Sequence, residues 1–152
     1  MKVLNIIPGT IVDGEGLRTS IYFAGCKHHC KGCHNPESWD FNNGKDMTVD
    51  EILKVIEENR FNVTYSGGDP LFQKLDDLVL LSKKIHELGY NIWLYTGFTI
   101  EYLRKNSKYN EILDNIDVIV DGPFIEEKKD LTLKFRGSSN QRIIKKEDFI
   151  LY

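Results

Sequence analysis

Three cysteines, Cys26, Cys30 and Cys33, fall within eight residues, and no other cysteine occurs in the 152-residue chain. An odd set packed this tightly is a poor disulfide framework. With no secretory leader expected, metal binding or thiol catalysis is the chemistry such a group serves. The spacing C-x3-C-x2-C lets one loop wrap three thiolates around a single small inorganic object. Two objects compete. Structural zinc takes four closed ligands, and His28, His29 or His34 could supply the fourth. An iron-sulfur cluster held by three thiolates leaves one iron without a protein ligand, and an open iron is a place for reaction. Zinc patterns usually pair ligands from two knuckles, and no second knuckle exists here, so the pattern favours the cluster.

The elements that position this loop follow from the flanking pattern. Thr19 to Phe23 is β-branched and aromatic, which predicts a strand running directly into the cysteines. Thr48 with Glu51 makes a capping box, and Val49, Ile52, Leu53 and Ile56 recur at helical spacing, so a helix is expected over 48–59. Val63 to Tyr65 is a short strand ending in Ser66-Gly67-Gly68-Asp69-Pro70. Leu75, Leu78, Leu81, Ile85 and Leu88 line one helix face, with Gly89 at the C-cap position. Ile92 to Tyr95 is a further strand, followed by Thr96-Gly97-Phe98, a weaker helix from Thr99, and a helical turn around Ile112, Leu113 and Ile116. Val118 to Val120 then leads into Asp121-Gly122-Pro123-Phe124, and Leu131 to Phe135 with Arg142 to Ile144 is expected as a closing hairpin or edge pair.

Strands that alternate with helices and are apolar throughout indicate a parallel sheet covered on both faces, an α/β fold. Four or five such units are too few for a closed eight-stranded barrel. A single domain over 1–152 is expected, a partial (β/α) barrel or open sheet, mostly parallel with helices outside. The four conspicuous loops each follow a strand, so they share the carboxyl edge, where α/β folds bind ligands. Sequence order alone therefore predicts one composite site.

Composition narrows the partners. With 20 basic against 23 acidic side chains the net charge is -3, which leaves no global basic field for nucleic acid or an anionic membrane. The longest apolar runs are far below the roughly 18 residues of a membrane span. Asn5 and Pro8 interrupt the N-terminus before a secretory core could form, so a cytoplasmic location is expected.

Cys26-Lys27-His28-His29-Cys30-Lys31-Gly32-Cys33 matches the cluster motif of the radical S-adenosylmethionine enzymes. Asp13-Gly14-Glu15-Gly16-Leu17-Arg18, His34-Asn35-Pro36 and Gly67-Gly68-Asp69-Pro70-Leu71 resemble the glycyl-radical activating branch, although Glu15 stands where proline is common. Asp121 to Phe124 and Arg136-Gly137-Ser138-Ser139-Asn140-Gln141-Arg142 resemble the activators of anaerobic ribonucleoside-triphosphate reductases. The resemblance covers essentially the whole chain. It implies a partial barrel of the radical S-adenosylmethionine type, a [4Fe-4S] cluster on Cys26, Cys30 and Cys33, and S-adenosylmethionine on the fourth iron. Reductive cleavage of the sulfonium would yield a 5'-deoxyadenosyl radical that takes hydrogen from a C-terminal glycine of the large reductase subunit. The implied partners are that subunit and a flavodoxin- or ferredoxin-type electron donor, with no direct contact to nucleic acid or membrane.

The cofactor contacts expected are main-chain groups of Gly32, Cys33 and His34, the loop Gly67, Gly68 and Asp69, then Thr96, Gly97 and Asp121. Arg136 and Arg142 are expected to meet cofactor or partner. Gly32 departs from the aromatic residue many members carry before the third cysteine. Two other classes compete: a small deazapurine-forming synthase, which is not expected to carry the 136–142 segment, and a zinc-binding adaptor.

Overall fold

The computed structural model describes residues 1–152. Two of its four α-helices begin where a threonine side chain accepts from an orphan N–H group. Thr48 and Glu51 form both halves of a capping box at the start of α1, Val49–Asn59. Helix α2 spans Leu75–Glu87, and Gly89 follows it with a φ of 88°. Thr99 caps α3, Ile100–Lys105, and α4 covers Asn110–Asp114.

Seven strands make one open sheet: β1 Lys2–Thr10, β2 Arg18–Phe23, β3 Lys45–Asp46, β4 Asn62–Gly67, β5 Ile92–Tyr95, β6 Val118–Asp121 and β7 Arg142–Lys145. Their order is β3-β1-β2-β4-β5-β6-β7, so the sheet has two ends and is not closed. The four central strands β2, β4, β5 and β6 are parallel neighbours. β1, β3 and β7 pair antiparallel. "Mostly parallel" thus holds for the centre alone, and Lys2–Thr10 at the N-terminus is a full antiparallel strand.

Each central crossover moves one strand in the same direction along the sheet, and right-handed crossovers then place their helices on one face. The pleat divides the residues accordingly. Ile21, Phe23, Val63, Tyr65, Ile92, Leu94 and Ile119 join Ile52, Ile56, Leu78, Leu81 and Ile85 in a single core. The alternate positions, among them Arg18, Ser20, Tyr22, Thr64, Ser66, Trp93 and Tyr95, stay outside it. The expectation of apolar cover on both faces is corrected: the helices cover one face, and polar and aromatic side chains line the other.

Arg18 anchors that second face. It is 1% exposed, and its guanidinium donates to Thr64 Oγ1 (2.7 Å), Val63 O (2.7 Å), Asn91 Oδ1 (2.6 Å) and Glu15 O (2.9 Å). The expected edge strand over Leu131 to Phe135 does not form. Phe135 takes a positive φ of 63°, and the only bridge nearby is Lys129 with Ser138. The apolar alternation there has another destination, because Leu133 and Phe135 line the cleft described next. No helix is long and apolar enough to cross a membrane.

Candidate functional site

The carboxyl ends of β2, β4, β5 and β6 open on one cleft of about 480 Å³. Cys26, Cys30 and Cys33 all line it, with His34, Gly67, Gly68, Thr96, Gly97 and Arg136. Three of the four predicted loops therefore reach it through expected residues; the β6 loop reaches it through Gly122 and Phe124. Gly32, Asp69, Asp121 and Arg142 are not among the lining residues.

The cysteine loop leaves β2 through Ala24 and Gly25, whose N–H groups donate to Lys2 O (2.9 Å) and Ser38 O (2.7 Å). All three thiols are unpaired; Cys26 is buried and the others are half-buried. Burial, together with the negative charge of Asp69, pushes the Cys26 thiol up to about 11. Such a thiol yields its proton to a metal centre, whose positive charge inverts the local balance. No three His, Cys, Asp or Glu side chains converge closely enough to share one ion. The histidines offered as a fourth zinc ligand have other neighbours: His28 Nε2 lies 2.7 Å from Asp69 Oδ2, His29 stacks on Trp39 and His34 packs on Phe124. Three thiols facing a roomy cleft, with each histidine engaged elsewhere, fit a cluster better than a single zinc ion.

Gly67 and Gly68 owe their identity to the chain itself. A Cβ on Gly67, whose φ is 100°, would stand 2.3 Å from the Phe23 nitrogen, and one on Gly68 would stand 2.6 Å from Gly25 O. The glycines thus let β4 close on β2 and on the start of the cysteine loop. Asp69 is 1% exposed and its oxygens are engaged: Oδ2 accepts from Thr96 Oγ1 (2.8 Å) and Gly97 N (2.9 Å) and meets His28, while Oδ1 accepts from Leu71 N (3.0 Å). It caps the turn at Pro70 and ties three loops together beneath the cleft.

Asp121 and Arg142 hold each other. Arg142 Nε donates to Asp121 Oδ1 at 3.0 Å and Nη2 to Oδ2 at 2.5 Å, and the guanidinium also grips Glu101. These hydrogen bonds, to Asp121 first, raise the guanidinium pKa further, and Arg142 holds the Glu101 carboxyl below its usual range. Asp121 Oδ2 additionally accepts from Ile100 N at the start of α3 (2.9 Å), so the pair locks β7 and α3 to β6. Gly32 sits at the loop tip, where an added Cβ would meet the Glu126 side chain.

Arg136 is different. Its Nε is buried without a partner, and the rest of its guanidinium has one long contact, Nη1 to Gln141 O at 3.3 Å. The buried Tyr95 hydroxyl is also unpartnered, and both residues line the cleft. Orphaned donors on a cleft wall fit a ligand that brings acceptors, such as a carboxylate. Gln141 shapes this wall, since its Oε1 accepts from Gly137 N (2.9 Å) and its Nε2 donates to Gly122 O (3.1 Å).

Asp13 and Tyr22 also line the cleft without having been singled out as contacts. Asp13 Oδ2 accepts from Ser20 Oγ (3.0 Å) and from the Tyr22 hydroxyl. The pleat carries the missed signal: Arg18, Ser20 and Tyr22 share the parity opposite the core residues Ile21 and Phe23.

Comparisons with known proteins match this geometry. A family profile described as a 4Fe-4S single cluster domain covers residues 12–144. A protein of Salmonella typhimurium named anaerobic ribonucleoside-triphosphate reductase-activating protein is 37% identical, over 93% of this chain and 96% of its own. Proteins of the same name from Escherichia coli (37%, 88% and 92%) and Haemophilus influenzae (35%, 94% and 97%) are similar over comparable spans. With three thiols on one cleft, a matched cluster domain and relatives aligned nearly end to end, the chain belongs to the 4Fe-4S family of anaerobic ribonucleoside-triphosphate reductase-activating proteins.

Proposed function

We propose that this protein activates an anaerobic ribonucleoside-triphosphate reductase as a radical S-adenosylmethionine enzyme. The observation that carries the reading is the meeting of three unpaired thiols with the orphaned Arg136 and Tyr95 donors on one cleft at the carboxyl edge of parallel strands. The open sheet, with its three same-direction crossovers, is read as a partial (β/α) barrel. A bound [4Fe-4S] cluster and S-adenosylmethionine would supply reductive sulfonium cleavage, giving the 5'-deoxyadenosyl radical that takes hydrogen from a C-terminal glycine of the reductase.

The chain's own contribution is ligation, orientation and exclusion of water. Cys26, Cys30 and Cys33 would hold three irons of the cluster. Gly67 and Gly68 offer main-chain acceptors to the methionine ammonium. Arg136 offers its free N–H donors to the carboxylate, for which a planar guanidinium is suited. Thr96 and Gly97 would meet the ribose and main-chain groups of Cys33 and His34 the adenine, with Gly32, off the cleft wall, shaping the turn that carries them. Asp69, Asp121 and Arg142 act at one remove, by holding the loops that make these contacts. A flavodoxin- or ferredoxin-type carrier supplies the electron, and the cytoplasm is the reducing compartment in which unpaired thiols persist.

Anaerobic purification with metal analysis, followed by reduction in the presence of S-adenosylmethionine, tests the reading. Brown protein with about four irons per chain, release of 5'-deoxyadenosine and a glycyl radical signal in the partner reductase are expected, and Cys30→Ala abolishes all of them. Colourless protein carrying one zinc, or iron-loaded protein that releases no 5'-deoxyadenosine, overturns it.

A further inference from the structure

Between Lys27 and His34 the cysteine loop makes one hydrogen bond to the rest of the chain, from His28 Nε2 to Asp69 Oδ2 at 2.7 Å. The other hydrogen bonds of that stretch stay within the cysteine loop: Cys33 N donates to Cys30 O, and the His28 and His29 backbone faces the Cys26 thiol. Two of the three thiols, on Cys30 and Cys33, thus lie on a segment whose one part-buried polar tether is His28; its other polar contact is the exposed ion pair of Lys31 with Glu126 at 4.0 Å. The tether's far end is the carboxylate that also holds Thr96 Oγ1 and Gly97 N. One oxygen, on a residue 1% exposed, therefore joins the cysteine loop to the loop after β5.

The surroundings are built around the imidazole. Its ring centroid lies 4.6 Å from that of Phe98 and 5.2 Å from that of Phe72. A Cβ at Gly97 would stand 2.5 Å from the ring Cδ2, so the absence of a side chain at 97 makes the space His28 occupies. A residue that merely filled a gap would need neither the hydrogen bond nor the glycine. The sparsely supported loop is costly to hold in place, because each ordered residue forfeits backbone entropy, and a hydrogen bond into a buried carboxylate counters this.

We propose that His28 is a positioning residue. By anchoring the cysteine loop to Asp69 it sets the three thiols, and whatever they hold, in register with Thr96 and Gly97 across the cleft. The proposal rests on the radical S-adenosylmethionine reading above, and it separates two properties. Metal loading depends on the cysteines; the fit of the cofactor opposite them depends on His28.

The test uses anaerobically purified, iron-loaded full-length protein, unsubstituted and as His28→Ala and His28→Gln. Iron per chain is measured, and the reduced cluster's paramagnetic resonance spectrum is titrated with S-adenosylmethionine. Loss of one charge-assisted hydrogen bond is on the order of a tenfold effect. His28→Ala is expected to keep its iron while the titration midpoint rises about tenfold. His28→Gln, whose amide N–H can donate to Asp69, is expected to return most of the way. An unchanged midpoint in His28→Ala, or a midpoint in His28→Gln no better than in His28→Ala, overturns the proposal and leaves the ring as packing alone. Loss of iron in His28→Ala to the extent seen with Cys30→Ala also overturns it, by making His28 a ligand. If the unsubstituted protein holds iron but its spectrum is indifferent to S-adenosylmethionine, the parent reading has failed and this one falls with it.

Discussion

Gly67→Ala tests whether the glycine loop is shaped by the protein's own backbone. Two costs add. An L side chain at a φ of 100° carries left-handed backbone strain of about 1–2 kcal/mol. The new methyl would also stand 2.3 Å from Phe23 N, 2.4 Å from Phe23 O and 2.8 Å from the Tyr22 carbonyl carbon. Ordinary carbon contacts lie near 3.5–4.0 Å, and these are backbone atoms of the adjoining strand, which cannot swing aside as a side-chain tip could. Overpacking of this kind typically adds about 1–3 kcal/mol, for a total of about 2–5 kcal/mol. Gly89 provides the control: its φ is 88°, and an added Cβ meets nothing within 4 Å, so Gly89→Ala carries the strain alone. At about 2–4 °C per kcal/mol for a chain of this size, Gly89→Ala should lower the midpoint by about 4 °C and Gly67→Ala by about 10 °C. Thermal unfolding under nitrogen, followed by circular dichroism on samples of known iron content, measures the difference. Gly67→Ala should also load less iron, because Gly68 N and Asp69 N hold Phe23 O and Gly25 O at the root of the cysteine loop. If the two variants melt within about 2 °C of each other and both load iron fully, the steric reasoning is refuted.

Arg18→Met removes the guanidinium that binds β2 to β4 and Asn91, leaving Val63 O and Asn91 Oδ1 short of a donor; urea unfolding should register a loss of about 3–5 kcal/mol. A loss below about 1 kcal/mol would mean that water enters and replaces it. Burial raises the phenol of Tyr22 to about 12, with help from Asp13, and burial also raises Tyr65 and Tyr95. For an acid whose folded pKa is raised, the stabilising effect is complete below the unfolded value of 10.0 and is lost as pH climbs through the folded one. Phenolate absorbance should therefore leave three of the seven tyrosines behind as pH passes 10, and the late ones should ionise together with alkaline unfolding. Ionisation of all seven in one step in protein that stays folded would contradict the burial of these hydroxyls.

Much of the fold was legible because its determinants are local. A capping box, apolar residues at helical spacing and short β-branched runs fall where α1, α2, β2, β4, β5 and β6 form. The failure over Leu131 to Phe135 was also physical, since alternation reports which residues turn inward, not what they meet there. Leu133 and Phe135 turn to the cleft instead of pairing as a strand.

The site divides in the same way. Sequence by itself determined the donor chemistry the cleft receives, because three thiols sit on one short loop after a strand and no other cysteine exists. It also determined which loops share an edge, since parallel order follows from alternating strands and helices. Only the tertiary structure decided which polar residues are free to bind. Asp69, Asp121 and Arg142 look like ligand contacts in sequence, yet folding brings each a partner from a distant loop or strand, and a carboxylate already holding several donors has little left to offer. Arg136 lies six residues from Arg142 and looks the same in sequence, but its Nε is left without a partner on the cleft wall. Charge and spacing are properties of the chain; whether a hydrogen bond is already spent depends on which segments the fold brings within 3 Å.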